Sequence, residues 1–337
     1  MENLIAAFSG KTVLVTGAAG AIGSNLCRRL RELGTRVLAV DNLTASERWN
    51  APNGPEIVFL EEDILDEPQM LSVFEYRPHI VFHLAAFFAN QNSIEHPEKD
   101  LMVNGMGTLR MLELSRRFHV ERFVYASSSS IYGSATESMS EELTRGHLTT
   151  PYQISKMLGE QYCTYFSEHY GLGMVKARLF NSYGPGDPPG EYRSVVPNLI
   201  YRALRQEPLP ITGSGNETRD FTYVEDIVDG LIRSAVSESA IGKDLNFCTG
   251  IDTRIGELAE MINQMTGNRA GVCYQAHRKW DEQRHRKGSY ELSRRIVGYE
   301  PKVQLRWGLK RTIAWFQTNW NRIEVAGSLS RTSLTNA

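Results

Sequence analysis

Several features that would reveal a protein's class are missing from these 337 residues. There is no run of about 18 apolar residues, so no membrane-spanning helix is predicted. The 37 basic and 39 acidic residues nearly cancel to a net charge of −2, which gives no electrostatic reason to expect a nucleic-acid partner. Hydrophobic residues make up 41% of the chain, so it can bury a sizeable core and general disorder is excluded.

Cysteine is also scarce. Cys27, Cys163, Cys248 and Cys273 are scattered along the chain and form no CxxC pair. This distribution argues against a zinc site and against a disulfide framework, and it suits a reducing compartment. The first residues lack a basic segment followed by an apolar run, so we expect no secretion signal. The sequence therefore predicts a metal-free, cytoplasmic protein.

Short apolar runs alternate with longer amphipathic segments along the first half of the chain. The predicted strands are 12–16, 36–40, 57–60, 80–84, 122–126 and 174–179. The predicted helices are 21–33, 67–74, 97–119 and 152–170, followed by 195–205, 224–237 and 255–266. Strands that alternate with helices predict an α/β fold of Rossmann type, a doubly wound parallel sheet with helices on both faces.

A glycine-rich loop, TGAAGAIG at residues 16–23, follows the first predicted strand and opens a helix. Glycine is needed where the chain turns sharply and where the backbone approaches a pyrophosphate closely. The positive end of the following helix favours binding of that pyrophosphate. Asp41 closes the next strand, where a carboxylate accepts from an adenosine ribose and repels a 2′-phosphate. This combination predicts a site for NAD rather than NADP. The residues predicted around it are Gly17, Gly20, Ala21, Ile22, Gly23, Asp41 and Asn42.

The pattern of elements changes in the second half, beginning with the turn-rich residues 184–190 (GPGDPPG). We interpret residues 1–180 as the NAD-binding domain, rejoined by a strand near 245–248. Residues 181–325 are predicted to form mainly a smaller substrate-binding lobe. Residues 326–337 are rich in serine and threonine without an apolar period, and we expect a loose tail.

Tyr152 and Lys156 follow Pro151 at a spacing of i, i+4. Proline suits the first turn of a helix, and residues four apart share a helix face. A lysine ammonium near a phenol stabilises the phenolate, so such a tyrosine can act as a general base near neutral pH. The spacing alone is common on surface helices. Here it follows the fifth strand of a dinucleotide fold and the serine cluster at 127–130, so we predict a catalytic pair.

Further motifs stand in order along the chain. They are TGAAGAIG (16–23), DI (63–64), HLAA (83–86), NGMGT (104–108), SSSSIYG (127–133), YQISK (152–156), FNSYGP (180–185) and RDFTYV (219–224). Over about residues 11–315 this series resembles the extended short-chain dehydrogenase/reductase family. Within it, the motifs are most similar to the NDP-sugar epimerase/dehydratase group, which includes UDP-glucose 4-epimerase-like proteins.

The resemblance implies roles for the matching residues. Ser128 would hydrogen-bond the sugar 4-hydroxyl, Tyr152 would be the base, and Lys156 would also hold the nicotinamide ribose. The further residues implied beside the cofactor are Asp63, Ile64, Leu84, Ala85, Ala86 and Asn104. Those implied on the substrate are Ser128, Ser129, Asn181, Val196, Arg219 and Arg278.

Two of these substrate residues are arginines, whose guanidinium fork can bond two phosphate oxygens at once. The resemblance places Arg219 on the diphosphate and Asn181 on the sugar or its phosphates. Arg278 stands in RKWD where the family often has RPGD, so it is either a second phosphate ligand or a solvated surface residue. Nucleobase contacts are expected from backbone near 195–199 and 210–212, which does not distinguish UDP from dTDP.

Ser129 and Ser130 stand where the resembling subfamilies differ. Over residues 128–133, the family's 4,6-dehydratases carry a motif similar to TDEVYG, with acids at both of these positions. Its UDP-glucuronate decarboxylases carry one similar to TSEVYG, with an acid at the second position. A serine cannot deliver a proton as a carboxylic acid would. This favours a nucleotide-sugar 4-epimerase, with a UDP-hexose as first choice, that oxidises C4 transiently and returns the hydride. The alternatives are a 4-ketoreductase, a dehydratase or a UDP-glucuronate epimerase on the same scaffold, and a non-catalytic NAD-binding regulatory relative.

Two questions about surfaces stay open in the sequence. Phe87 and Phe88 either wall the sugar cavity or pack in the core, and we interpret Phe88 as a core residue. Arg193 either faces a sugar carboxylate or lies on the surface, and we favour the surface. The resemblance also implies a homodimer in which helices 97–119 and 152–170 pair across a two-fold axis. Candidates for that face are Leu101, Met102, Leu109, Tyr162 and Phe166, although some of them must instead face the sheet.

Overall fold

The computed structural model of the chain describes residues 2–134, 138–143, 146–278 and 284–325. The tail expected at 326–337 lies outside the described residues. No described helix is both long enough and apolar enough to cross a membrane.

A seven-stranded sheet occupies the centre of the protein. Its strands are β1 (Thr12–Thr16), β2 (Arg36–Val40), β3 (Ile57–Leu60), β4 (Ile80–His83), β5 (Arg122–Ser128), β6 (Met174–Leu179) and β11 (Asp244–Phe247). They lie in the order β3-β2-β1-β4-β5-β6-β11, and every neighbouring pair is parallel. The predicted Rossmann-type sheet is confirmed. Its order reverses beside β1, which opens a ligand crevice at the carboxyl ends of the strands.

Helices cover both faces of this sheet. In chain order the α-helices are α1 (Glu2–Phe8), α2 (Ala21–Glu32), α3 (Glu67–Phe74), α4 (Asn90–Glu95), α5 (Pro97–Asp100), α6 (Thr108–Arg117), α7 (Pro151–Tyr170), α8 (Val195–Leu204), α9 (Val224–Val236), α10 (Ile255–Thr266), α11 (Glu291–Val297) and α12 (Leu305–Thr318). Alternate residues of β1 face opposite sides, because side chains along a strand have a period of two. Val13 and Val15 pack with α2 and α9, whereas Leu14 packs with α3, α6 and α7.

The smaller lobe has its own hydrophobic core, built from α8, α10 and α12. Its short strands are β7 (Ser182–Tyr183), β8 (Leu209–Thr212), β9 (Thr218–Asp220), β10 (Thr222–Tyr223), β12 (Asp252–Arg254) and β13 (Val272–Gln275). They form three two-stranded pairs: β7 with β10, β9 with β12, and β8 with β13. The strand predicted near 245–248 lies at Asp244–Phe247 and pairs with β6.

The long helix predicted over 97–119 is interrupted. A π-helical stretch, Leu101–Gly107, separates α5 from α6. Gly107 lies where a Cβ would be 2.6 Å from the side chain of Ile64, so glycine permits this close packing. π-helical stretches are frequent at functional sites because the extra residue re-aims neighbouring side chains. A regular α-helical pattern predicts the length of this segment but not the interruption.

One of the candidates for the dimer face, Phe166, faces the sheet instead. Phe166 is 1% exposed and packs in the core between α7 and the sheet, because it shares the inner side of α7 with Cys163. Leu109 and Tyr162 are partly buried against the same core. Leu101 and Met102 are exposed.

Candidate active site

The glycine-rich loop joins β1 to α2 at the crevice. Gly17 has a φ of +70°, and a Cβ there would lie 2.7 Å from the backbone nitrogen of Ala85. A Cβ at Gly23 would overlap the carbonyl of Gly17. Both positions therefore require glycine, as expected for a loop that brings backbone amides to a pyrophosphate.

The start of α2 lies directly after this loop. Gly20 is its N-terminal cap residue and has extended backbone, with a φ of −70° and a ψ of 172°. Ala21 begins the helix, and Ile22 packs against the cores of both lobes. The first amides of α2 and the positive end of its dipole therefore lie at the loop, where a phosphate group would bind.

Asp41 closes β2 beside the loop and is 7% exposed. Its Oδ2 accepts from the backbone nitrogen of Ala19 at 2.9 Å, and its Oδ1 accepts from that of Leu43 at 2.9 Å. Burial raises the pKa of Asp41, and the hydrogen bonds from Leu43 and Ala19 oppose that change. The carboxylate lies where this fold receives the adenosine ribose.

The loops after β2 and β3 meet through the predicted cofactor residues. Asn42 Nδ2 donates to Asp63 Oδ2 at 2.9 Å, and Asp63 Oδ1 accepts from the backbone nitrogen of Leu65 at 2.8 Å. Ile64 is buried and packs against Gly107. These side chains order the edge of the crevice expected to face the adenine.

The end of β4 is tied to β1 by backbone and side-chain hydrogen bonds. The amides of Leu84 and Ala85 donate to the carbonyl and the hydroxyl oxygen of Thr16, both at 3.2 Å. His83 lies between Thr16 and Thr108, with its ring nitrogens 2.8 and 3.1 Å from their hydroxyl oxygens. Burial lowers the pKa of His83 to about 3, so the ring is neutral and its role here is structural.

Asn104 connects this segment to the helix that carries the predicted base. Its Oδ1 accepts from the backbone nitrogen of Phe87, the residue after Ala86, at 2.8 Å. Its Nδ2 lies 2.8 Å from Asp100 Oδ1 and 3.2 Å from Ser155 Oγ. Asn104 belongs to the π-helical stretch, so the interruption places its amide between the 84–87 segment and α7.

Ser128, Tyr152 and Lys156 come together at the carboxyl end of β5. Ser128 ends the strand, and the other two lie on the first two turns of α7, which packs against it. Tyr152 is 6% exposed and Lys156 is 3% exposed. Lys156 Nζ donates to the carbonyl of Ala126 at 2.9 Å and lies 5.9 Å from the centroid of the Tyr152 ring.

The two titratable side chains of this trio have shifted pKa values. Burial raises the pKa of Tyr152, and its hydrogen bond with Ser128 opposes the rise. Burial lowers the pKa of Lys156 to about 8, against the opposing charges of Asp100 and Glu160. Lys156 is therefore largely protonated at neutral pH. An ammonium beside the phenol stabilises the phenolate, as a tyrosine base requires.

The serines after Ser128 form a tight turn over Ser129–Tyr132. Ser129 and Ser130 are both buried, and Ser130 Oγ donates to Ser128 Oγ at 2.7 Å. The hydroxyl of Ser130 thus adjoins Ser128, the serine predicted to bind the sugar. It stands where the resemblance implies an acid in a dehydratase.

The remaining predicted substrate residues are distributed over the smaller lobe. Asn181 Nδ2 donates to the carbonyl of Asp220 at 3.0 Å, and Arg219 Nη1 donates to the carbonyl of Thr218 at 2.8 Å. The side chain of Val196 is buried in the lobe's core, which leaves its backbone for a ligand. Arg278 is exposed after β13, and its phosphate role stays a prediction.

Phe88 adjoins the predicted base, Tyr152, rather than the core. It is 43% exposed, and its ring meets that of Tyr152 edge-on, with centroids 6.0 Å apart. The interpretation of Phe88 as a core residue is therefore wrong, because it forms part of the wall next to the phenol. Phe87 is half-buried, with Lys99 Nζ 5.3 Å from its ring centroid.

The loop before α8 crosses from the smaller lobe to the cofactor crevice, which the sequence did not reveal. Arg193 donates to the carbonyl of Ala45 in the loop after β2 and pairs with Asp187 at 3.7 Å. Arg193 is therefore not a freely solvated surface residue, and a contact between it and a sugar carboxylate stays a prediction. At the other edge of the loop, Tyr192 OH donates to Glu95 Oε2 at 2.6 Å.

A second link to the glycine-rich loop comes from Asn50. Its Nδ2 donates to the carbonyl of Ala19 at 2.7 Å and to that of Gly186 at 3.0 Å. Asn25 Nδ2, on α2, donates to the carbonyl of Pro185 at 2.8 Å. Isolated asparagines carry no sequence signal for such bridging, because their partners are backbone carbonyls distant in the chain.

A buried phenol beside an ammonium, at the carboxyl edge of a Rossmann sheet, is suited to proton exchange with an alcohol while a dinucleotide takes its hydride. The fold and site thus define a dinucleotide-dependent enzyme. A family model, the NAD dependent epimerase/dehydratase family, matches residues 13–248. The chain belongs to this family, and its cofactor is NAD.

Solved structures agree with this assignment. The chain is 48% identical to an epimerase from Methanothermobacter thermautotrophicus, with a TM-score of 0.94 and 96% of each chain covered. It is 33% identical to UDP-glucose 4-epimerase of Thermotoga maritima, solved with UDP-glucose, with a TM-score of 0.87 over 92% of this chain and 99% of that one. The enzyme WbmF of Bordetella bronchiseptica, solved with NAD+ and UDP, is 34% identical, with a TM-score of 0.87 over 98% and 99% of the two chains.

The relatives do not share a single reaction. UDP-glucuronic acid decarboxylase 1 of Xenopus tropicalis is 32% identical over 314 residues, which cover 91% of this chain and 72% of that protein. Membership of the family therefore establishes an NAD-dependent enzyme, and the reaction has to be argued from the site.

Proposed function

We propose that the protein is an NAD-dependent nucleotide-sugar 4-epimerase, with a UDP-hexose as its substrate. The observation that carries this proposal is the pair Ser129 and Ser130. They lie buried directly after Ser128, where dehydratases and decarboxylases of the resembling group carry acids. A hydroxyl of ordinary acidity is a poor general acid, so elimination of water and loss of CO₂ are both disfavoured.

The residues of the site can perform each proton step of an epimerisation. NAD, when bound, supplies a hydride acceptor and then a hydride donor. Tyr152 removes the proton of the sugar 4-hydroxyl and returns it to the same oxygen later. Lys156 stabilises the phenolate in between, and Ser128 hydrogen-bonds the sugar oxygen. No net proton leaves the site, so the cycle needs no acid beyond the phenol.

The relatives support the substrate class. Thermotoga maritima UDP-glucose 4-epimerase was solved with UDP-glucose, and WbmF was solved with UDP. Arg219 and Asn181 belong to β9 and to the segment before β7, at the inner edge of the smaller lobe. Both are positions where the resemblance implies contacts with the substrate.

The test is to incubate the purified protein with a panel of UDP- and dTDP-sugars in D₂O and to analyse the products by NMR and mass spectrometry. We expect a product of unchanged mass with an inverted C4 and no deuterium on carbon, because the hydride does not exchange with water. Tyr152→Phe is the matched inactive control.

Other results would contradict the proposal. Loss of a water or of CO₂ would identify a dehydratase or a decarboxylase. Deuterium at C5 or C6 would indicate enolisation. A product that needs one added NADH or NADPH per turnover would identify a ketoreductase.

We also propose that the enzyme is a homodimer. The outer sides of the π-helical stretch and of α7 expose apolar side chains that a water-soluble surface rarely groups together. They are Leu101, Met102, Met106, Ile154 and Tyr165, each between 41% and 55% exposed. Light scattering should give about twice the 38.0 kDa of the chain, and Met102→Glu should shift the mass towards the monomer. A monomeric wild-type protein at micromolar concentration would contradict this proposal.

A further inference from the structure

One carboxylate oxygen of Asp100 is buried and has no hydrogen-bond partner of standard geometry in the part of the chain that the structure describes. The residue ends α5 and is 1% exposed. Its Oδ1 accepts from Asn104 Nδ2 at 2.8 Å, whereas its buried Oδ2 meets no donor among the described residues. Burying a charged oxygen unpaired is costly, so this arrangement requires compensation from elsewhere in the molecule.

Part of the compensation comes from Lys156, the lysine of the predicted catalytic pair. Burial raises the pKa of Asp100, and Ser155, Lys156 and Asn104 oppose that rise. The effect is mutual, because Asp100 raises the pKa of Lys156 against burial and also raises that of Tyr152. A lysine with so little exposure stays protonated only where negative charge lies near it.

Other titratable groups face Lys156 from the elements packed around it. They are Glu160, Cys163 and Tyr152 on α7, Tyr125 on β5 and His83 on β4. Tyr152 lies on the same face of α7 as Lys156, one turn earlier. His83 is neutral, and burial raises the pKa of Tyr125 and of Cys163, so those groups carry no charge near neutral pH.

Glu160 is the other carboxylate in this group, and it is already engaged. Both of its oxygens accept from Arg178, at 3.0 and 2.9 Å, and Oε1 also accepts from Ser127 at 2.7 Å. Among the described residues no cation forms an ion pair with Asp100. Asn104 Nδ2 links Asp100 Oδ1 to Ser155 Oγ, next to Lys156 on α7, so the charge of Asp100 acts on Lys156 through space.

We propose that Asp100 is a positioning residue whose buried charge keeps Lys156 protonated and whose contact with Asn104 holds the 84–87 segment against α7. For its effect on catalysis, this inference rests on the proposed role of Tyr152 and Lys156. Its effect on the charge of Lys156 stands independently of the reaction.

Asp100→Asn is the informative substitution. An asparagine retains the shape of the side chain and an oxygen for the amide of Asn104, while it removes the charge. Without the charge, the pKa values of Lys156 and Tyr152 should both fall, by on the order of one unit. The acidic and the alkaline limb of the profile of turnover against pH should therefore both move to lower pH. A purely structural role would lower the rate and leave the limbs in place.

The deciding measurement does not require a substrate. The full-length protein carrying lysine labelled with ¹³C at Cε is titrated by NMR, and Lys156→Met assigns the Lys156 signal. We expect the midpoint of Lys156 to fall in Asp100→Asn. Asp226→Asn is the control, because Asp226 is also a buried carboxylate but accepts from the backbone of Lys302 and Val303, both at 3.0 Å.

An unchanged midpoint in Asp100→Asn, or an equal shift in Asp226→Asn, would overturn the inference. If Asp100→Asn does not fold by circular dichroism, Asp100→Ser removes the same charge and is titrated instead. A lowered midpoint with an unmoved pH profile would support the charge effect and count against Lys156 and Tyr152 as the catalytic pair. The failures of the two proposals are thereby distinguished.

Discussion

Two groups of buried polar residues on helix α7 are paired in different ways. In the third turn, Glu160 is paired with Arg178 on both oxygens and with Ser127 on one. In the first two turns, Tyr152 and Lys156 are also buried, but Lys156 Nζ bonds a backbone carbonyl rather than a carboxylate. Beside them, Asp100 Oδ2 meets no hydrogen-bond donor among the described residues.

The comparison separates groups that hold the fold from groups that are proposed to take part in the reaction. A fully satisfied buried network makes the core rigid, since every lone pair and proton already has a partner. Burial of a less completely paired group shifts its pKa, as burial lowers the pKa of Lys156. Four substitutions test this difference, beginning with the largest expected effect.

Tyr152→Phe should lower turnover by about 10²–10⁴-fold, because the phenol transfers a proton and does not hold the substrate. Affinity for the nucleotide sugar, measured by calorimetry, and the thermal midpoint should change little. Tyr165→Phe, at an exposed position of the same helix, is the control and should leave turnover unchanged. A near-normal rate in Tyr152→Phe would remove the base assignment.

Arg178→Met should lower the free energy of unfolding by about 3–5 kcal/mol, because it leaves Glu160 buried without its cation. Urea unfolding followed by circular dichroism measures this loss. Arg233→Met, which breaks a half-exposed pair with Asp229, should cost less than about 1 kcal/mol. Similar losses in the two variants would show that the buried pair of Arg178 with Glu160 contributes no more to the fold than an ion pair near the surface.

Lys156→Met should change how stability depends on pH. The pKa of Lys156 falls from 10.5 to about 8 on folding, so between these pH values the unfolded chain binds more protons than the folded protein. Wild-type stability relative to the variant should therefore rise as pH increases from about 8 to about 10.5, and level off on either side. A difference in unfolding free energy that is constant with pH would show that burial does not perturb this lysine.

Asp41→Ala should weaken the preference for NAD over NADP, an effect smaller than the others because neighbouring backbone still forms the pocket. Asp41 shares features with both groups in the comparison. It is paired, because it accepts two backbone hydrogen bonds, and it also lies where this fold receives the ribose of the cofactor. Calorimetric dissociation constants for NAD and NADP at equal ionic strength measure the change. Equal binding of the two by the wild-type protein would contradict the role of Asp41.

The features recovered from sequence are local ones. The strand β1, the glycines that follow it and the Tyr152–Lys156 spacing are set by residues a few positions apart, so their patterns survive in one dimension. The six strands predicted in the first half match the observed sheet strands to within two residues at either end. The interpretation of Phe88 was wrong and the placement of Phe166 stayed open, because the side of a loop or of α7 that faces the core depends on elements distant in the chain.

The amino-acid sequence by itself determined the Rossmann sheet, the glycine-rich loop and the Tyr152–Lys156 spacing that predicts a base, since periodicity, turn chemistry and helix spacing are properties of neighbouring residues. Tertiary structure alone decided that the charge of Asp100 would act on Lys156, that Arg193 would reach Ala45, and that the predicted long helix would contain a π-helical stretch. The physical reason is common to all three. Burial and charge act through space, and the partners that set a pKa or complete a hydrogen bond are chosen by packing rather than by sequence distance.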